Sequence, residues 1–210
     1  MTGCWNVNFL LEGGISLNAF GKVYYAGRGK REYKAWGDYA SILIHGMGKK
    51  IKDTGDPPDI EVERVGPFVP SISSVLAGLI ATDEAKQIIE SWNLVGLRFK
   101  PVIKKRIVRL NWREWDPKKE PKYPPGSEPE NYILRRKHDQ KLSDQIGVLW
   151  GVTSISGATF KEVASGKVDF RGSCLISERF KSLLVESKLD EWLDIEVAEP
   201  SPLSSENTGN

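Results

Sequence analysis

Histidine is the usual general base near neutral pH, and this chain has only two, His45 and His138. His45 ends an apolar run and leads into Gly46-Met47-Gly48-Lys49-Lys50. Glycines next to lysines can cradle a phosphate, but this pair lacks the spacing and the Lys-Ser/Thr ending of a P-loop, and a turn with solvated lysines explains it better. Gly27-Arg28-Gly29-Lys30-Arg31 could grip a phosphate through backbone N–H groups and cations, and a basic hairpin turn explains it equally well. Cys174 lies inside an apolar run with no histidine near it in sequence, which reads as a small buried hydrophobe. Glu114 and Asp116 are the nearest approach to a carboxylate pair. Trp112 and Trp115 beside them could raise a pKa, yet Arg113 and Lys118 flank them and Pro117 opens a loop. No histidine, cysteine or acid cluster has metal-ligand spacing, and no cofactor is expected.

A second kind of chemistry is recognition. Residues 98–122 hold ten Lys or Arg against three acids, and Lys100, Lys104, Lys105, Arg106 and Arg109 lie close to Phe99, Trp112 and Trp115. A sheet presenting cations and aromatics together binds single strands by stacking and phosphate contact. Against that reading, Lys104-Lys105-Arg106 are consecutive and point to both faces of a strand. A net charge of +2 is also modest for a dedicated nucleic-acid binder. From Glu178 onward the balance reverses, with eight acids against three bases. Solvated faces account for most such runs.

The elements that position these residues read as β-rich at the start. Trp5–Phe9 alternates, Gly21–Gly27 is a second strand, and the apolar run Tyr39–Ile44 a third. Residues 49–70 are loop-like around Asp56-Pro57-Pro58-Asp59, with one alternating stretch, Ile60–Val65. Leu97–Trp112 reads as one long or two shorter strands. A proline-rich loop over 118–129, a polar helix over 131–143 and a buried strand over 147–152 follow. Two cysteines, the lack of a signal-like N-terminus and the short apolar runs predict a reducing, cytoplasmic setting without a membrane span.

The best-specified pattern occurs twice, ninety-five residues apart. Gly78-Leu79-Ile80-Ala81 runs into Thr82-Asp83-Glu84, a helix with Ala85, Ile88, Ile89 and Trp92 on one side, and a strand from Leu97. Cys174-Leu175-Ile176 runs into Ser177-Glu178-Arg179, a helix with Phe180, Leu183 and Leu184, then Leu189 and a strand over 193–197. Thr82 and Ser177 are hydroxyl N-caps, and acids follow where the helix dipole favours them. Few positions are identical between the two, Lys86 with Lys181 and Leu94 with Leu189, so duplication and chance recurrence of a common strand–helix–strand unit both stand. Nothing catalytic repeats.

The second copy resembles an element of bacterial immunity proteins that guard cells against polymorphic or contact-dependent toxins: an apolar strand, Ser-Glu-Arg, a Leu-rich helix and a closing strand near the C-terminus. The resemblance covers about residues 168–200, and more loosely 68–102, where Thr82-Asp83-Glu84 replaces Ser-Glu-Arg. It implies a protein without turnover that binds a cognate toxin domain and occludes its active site. Because Trp, Tyr and Arg dominate interface energetics, Trp112, Arg113 and Trp115 are the expected anchors; the competing reading places both tryptophans in the core.

The expected fold is α+β: a mixed or antiparallel sheet with few helices and two similar strand–helix–strand units, in one domain over 1–200. Two lobes, about 1–115 and 130–200, are the alternative, and 201–210 reads as a disordered tail. A nucleic-acid-associated protein using residues 98–115, and an enzyme with a site around His45 or His138, stand as the other functional readings.

Overall fold

A computed structural model describes residues 22–28, 40–52, 54–55, 57–66, 68–76, 78–110, 133–154, 163–164 and 174–198. Their order is β1 (Val23–Arg28), α1 (Ala40–His45), β2 (Met47–Lys50), β3 (Ile60–Gly66), β4 (Ile72–Val75), β5 (Gly78–Thr82), α2 (Asp83–Ser91), β6 (Leu97–Pro101), β7 (Ile103–Arg109), α3 (Gln140–Ile146), β8 (Leu149–Ser154), β9 (Val163–Ala164), β10 (Cys174–Ser177), α4 (Glu178–Glu186) and β11 (Leu193–Val197). The fold is α+β. The strands form three sheets, ordered β4-β5-β8-β6, β9-β10-β1-β11 and β2-β3-β7.

The first two sheets are the same object built twice. In the first unit β5 and β6 both pair antiparallel with β8, so they run parallel to each other with α2 between them in sequence. In the second, β10 and β11 both pair antiparallel with β1, with α4 between them. This is a split β-α-β arrangement, extended by β4 in one unit and β9 in the other. The registers match pair for pair. Trp150 of β8 lies across from Ala81 and Pro101; Tyr24 of β1 lies across from Ile176 and Val197, the positions equivalent to those two.

The copies are not closed on themselves. Read as a tandem repeat, the first runs from β1 through β4, β5, α2 and β6, and the second from β8 through β9, β10, α4 and β11. Yet β1 sits in the second sheet and β8 in the first. Each copy therefore lends its leading strand to the other, an exchange of the kind seen in strand-swapped dimers but made here within one chain.

Local chemistry explains why the helices start and stop where they do. Thr82 Oγ1 accepts from the Ala85 N–H at 3.3 Å, and Ser177 Oγ from the Phe180 N–H at 3.0 Å. Each helix is followed by a non-glycine residue in the left-handed region, Asn93 at φ 52° and Lys188 at φ 57°. Buried side chains recur at helical spacing, Ala85 with Ile89 and Phe180 with Leu184. They share one core with Leu79, Ala81, Val152, Tyr24, Ala26, Cys174, Ile176 and Leu189. Ile88, expected on the inner stripe, is instead 38% exposed.

The third sheet belongs to the first copy. The segment α1-β2-β3 is inserted between β1 and β4, and β7, running on from β6, pairs parallel with β3. It covers the outer face of the first unit: Ile60 and Val62 of β3 share a core with Val75, Ile80 and Leu149.

Two expectations are corrected here. The run expected as a strand is, over its described residues 40–44, part of the short helix α1, with Leu43 and Ile44 in a core with Val65, Val108 and Leu110. A six-residue apolar run carries no period, so tertiary packing decides it. Met47–Lys50, read as a turn, is strand β2 paired with β3. Within the expected polar helix the described residues give a helical stretch at 133–134, a break over 135–139, and then α3 over Gln140–Ile146, capped by Asp139, whose carboxylate accepts from the Leu142 N–H at 2.9 Å. The Trp5–Phe9 strand, the 118–129 loop and the 201–210 tail lie outside the described residues.

Candidate functional site

His45 is carried into the interior by the last turn of α1 and is fully buried. Its Nδ1 accepts from the backbone N–H of Ser74 at 3.1 Å, so that nitrogen carries no proton and the ring is held as the Nε2–H tautomer. Ser74 Oγ in turn donates to the Ala26 carbonyl of β1 at 3.1 Å. Beside it lies Arg64, also with no exposed surface. Its Nη2 donates to the Ile44 carbonyl at 2.8 Å and to the Phe68 carbonyl at 3.0 Å, and Nη1 to Ser73 Oγ at 3.5 Å. Nε has no acceptor among the described residues. Burial alone pulls this guanidinium down to about 10, which still leaves it charged at neutral pH. A cation against the carbonyl end of α1 is favoured by the helix dipole. The cluster thus ties α1, β3, β4 and β1 together at the point where all three sheets meet.

The glycines after His45 serve the same junction. Gly46 sits at φ +84°, and a Cβ there would come within 2.8 Å of Arg64 Cβ and 2.9 Å of the Glu63 carbonyl. A Cβ on Gly48 would meet Val75 Cγ2 at 2.6 Å. The pair is needed so that β2 can approach β3 and β4, which accounts for it without a phosphate.

His138 is engaged likewise. Its Nδ1 accepts from the Ile107 N–H at 3.0 Å and Nε2 faces Gln140 Oε1 at 3.2 Å. The cations of β6 and β7 are met from within. Lys105 reaches Glu61 at 3.4 Å and Glu63 at 4.0 Å, and Arg106 reaches Glu63 at 3.8 Å. Arg109 pairs with Asp139 at 3.1 Å. Lys104 donates to the Ser143 and Gly147 carbonyls, at 2.5 and 2.7 Å. Lys100 pairs with Asp59 and donates to the Pro57 carbonyl at 2.9 Å. The basic stripe fastens β7 to β3 and α3, and β6 to the 54–59 loop.

Cys174 is fully buried, and desolvation pushes its thiol up to about 12, with Lys50 pulling weakly the other way. It floors a cavity of about 30 Å³ lined also by Lys50, Pro57, Ile60, Lys100 and Gly151, room for a water or two. No group of three or more potential metal ligands comes together among the described residues, and no helix there is long and apolar enough to cross a membrane. Trp112, Arg113 and Trp115, with Glu114 and Asp116, lie outside the described residues.

The residues that could meet a partner are those of the second unit turned away from the shared core. On β11, Leu193 and Ile195 pack inward while Asp194, Glu196 and Val197 are exposed. Val185 on α4 is 49% exposed and Val197 52%. Asp194, Glu196 and Glu186 make no ion pair among the described residues. The equivalent positions on β6 are Arg98 and Lys100, the opposite charge.

Sequence reasoning missed Arg64, although a signal was present: in Ile60–Gly66 it falls in phase with Ile60 and Val62, on the buried side of an alternating strand. It also missed two matched contacts that hold the exchanged strands. Trp150 Nε1 donates to Asp83 Oδ1 at 2.9 Å while Lys86 Nζ lies 4.7 Å from a Trp150 ring centroid. Tyr24 OH donates to Glu178 Oε1 at 3.4 Å while Lys181 Nζ lies 4.1 Å from the Tyr24 ring centroid. The one lysine identity between the copies, Lys86 with Lys181, is thereby explained.

No protein-family model matches the chain, and no curated protein or solved structure gives a significant match.

Proposed function

We propose that this chain is an immunity protein that binds a cognate bacterial toxin domain and neutralises it by occluding its active site. Two things support the reading: the resemblance carried by residues 168–200, and the outward face of the unit those residues build. The observation that carries it furthest is the pair of exposed acids on β11, Asp194 and Glu196, which point to the face of the sheet away from α4 and the shared core and make no ion pair among the described residues. Uncompensated acids at a surface steer a cationic partner and set the register of docking. The groups an enzyme would use at His45, His138 and Cys174 are each committed to an internal contact or to burial. The cytoplasm is the compartment the reading requires.

The test is capture of partners from the native cell by the tagged protein in moderate salt, followed by growth of cells that express the captured domain with and without this chain. One stoichiometric partner, the C-terminal part of a large secreted protein, whose toxicity this chain abolishes, is the expected result. The double variant Asp194→Lys/Glu196→Lys should lose that protection by at least tenfold in survival while keeping its melting temperature, because exposed charges contribute little to stability. Salt-sensitive recovery of nucleic acid in place of a protein would overturn the proposal.

A further inference from the structure

The exchange of leading strands within this chain bears on how the chain meets a second copy of itself. β1 fills a slot between β10 and β11, which run parallel and are held apart by it. Two strand spacings leave a gap of about 9.5 Å. Without β1, the facing N–H and C=O groups of β10 and β11 lose their partners, a cost no fold leaves standing in its interior. The slot therefore demands a strand, and its lining says which. Tyr24 meets Glu178 and Lys181, and Ala26 lies across from Cys174 on one side and Ile195 on the other, where there is room only for a small residue beside a core with no exposed surface.

The other slot, between β5 and β6, cannot take β1. Its central position is Gly151, where an added Cβ would come within 2.9 Å of Ile60 Cδ1. The register puts Tyr25 at the equivalent place in β1. A tyrosine at Gly151's position would displace Ile60 and, with it, the β3 layer. So β1 can enter only a β10–β11 slot. Residues 29–39 are all that join it to α1, and eleven residues reach up to about 36 Å when extended.

We propose that β1 is an exchangeable donor strand, and that the β10–β11 slot takes β1 from a second copy of this chain to give a reciprocal strand-exchanged dimer. Every contact made in cis is remade in trans: the two ladders, the Tyr24–Glu178 hydrogen bond, Lys181 over the Tyr24 ring and the Ser74 hydroxyl on the Ala26 carbonyl. The two forms differ only in the path of the connection and in the cost of association, so protein concentration during folding selects between them.

The test uses the full chain with Cys4→Ser and Ala26→Cys. Residues 26 and 174 are directly opposed on antiparallel strands, where Cα atoms are about 4.5–5.5 Å apart, within the reach of a disulfide. After refolding and oxidation, dilute protein should give the intrachain bond. Concentrated protein should give interchain covalent dimers in a fraction that rises with concentration. Intrachain bonds alone at every concentration would overturn the proposal. Should the new cysteine prevent folding, the unmodified chain serves. Two isotope-labelled pools are mixed either before or after refolding and weighed by native mass spectrometry. Mixed-label dimers that arise only from mixing in the unfolded state, and persist on dilution, support exchange. Dimers that scramble label while native, or no dimers at all, refute it.

Discussion

The two split β-α-β units share topology, register, helix caps and left-handed residues, and each keeps a buried apolar residue facing away from the common core, Ile80 and Leu175, yet the rest of that side differs. In the first unit the outer face is covered: Ile80 and Leu149 pack on Ile60 and Val62, Gly151 leaves room for Ile60, and Lys100 is tied to Asp59. In the second, β11 carries Asp194 and Glu196, both exposed, and β1 places Tyr25 at the register position of Gly151. Inside the shared core the copies differ by complementarity. Trp92 at the end of α2 meets Phe180 at the start of α4 edge-on, centroids 5.7 Å apart, and the positions equivalent to these two are Ser187 and Ala85. Large residues at these two positions thus stand against small ones at their equivalents. The repeated unit keeps on one face what packing needs and carries different things on the other, an added sheet in one unit and exposed acids in the other.

Because the units share a core and exchange a strand, they should unfold together. Phe180→Ala removes the ring that both helices pack on, and a loss of about 3–5 kcal/mol is expected in a single transition. Urea titration followed by tryptophan fluorescence and by circular dichroism checks this. Two separated transitions would mean that the units are independent and the comparison of equals is wrong. Gly48→Ala disturbs only the covered face of the first unit, where Cβ would press on the stiff Val75, and about 1–3 kcal/mol should be lost. If the second unit alone were decisive, this substitution would leave the midpoint unmoved.

Thr82→Ala and Ser177→Ala each remove one cap of matching geometry and should cost about 1 kcal/mol apiece. A large inequality would show that one copy's helix leans more on its tertiary contacts. The smallest effect concerns Asp139, at the edge of the third sheet. The Leu142 N–H, then Arg109, hold its carboxyl below the usual carboxylate range. A depressed folded pKa contributes stability above the unfolded value, near pH 4, which is lost as pH falls through the folded value. Asp139→Asn should therefore lower the melting temperature slightly at about pH 7, and wild type and variant should converge as pH falls through the folded value. A constant difference across that range would assign the effect to packing.

Much of the fold was legible because it is written locally. A hydroxyl, two charged residues and apolar residues at helical spacing specify α2 and α4 wherever they are placed, and alternation specifies β3 and β11. Residues 39–44 were not legible, since a short apolar run satisfies a buried helix and a buried strand alike. Nor were the glycines at 46 and 48, whose reason is a neighbour on another strand. For the candidate site, the sequence correctly marked Cys174 as a packed hydrophobe and noted the reversal of charge toward the C-terminus. It could not show that Lys100, Lys105, Arg106 and Arg109 are answered by Asp59, Glu61, Glu63 and Asp139, which lie from 30 to 44 positions away.

By itself the sequence determined the α+β class, the two repeated units and the residues that cap and line their helices, because those depend on neighbours within about two turns of chain. Only the tertiary structure decided that each unit takes its central strand from the other copy, that Lys86 and Lys181 cover the ring of a strand they are not adjacent to, and that a buried arginine sits where three sheets meet. The reason is physical: a strand's own pattern states which face is buried and leaves open which edges it will pair with. That choice rests on fit between distant side chains, such as the space Ile60 takes above Gly151.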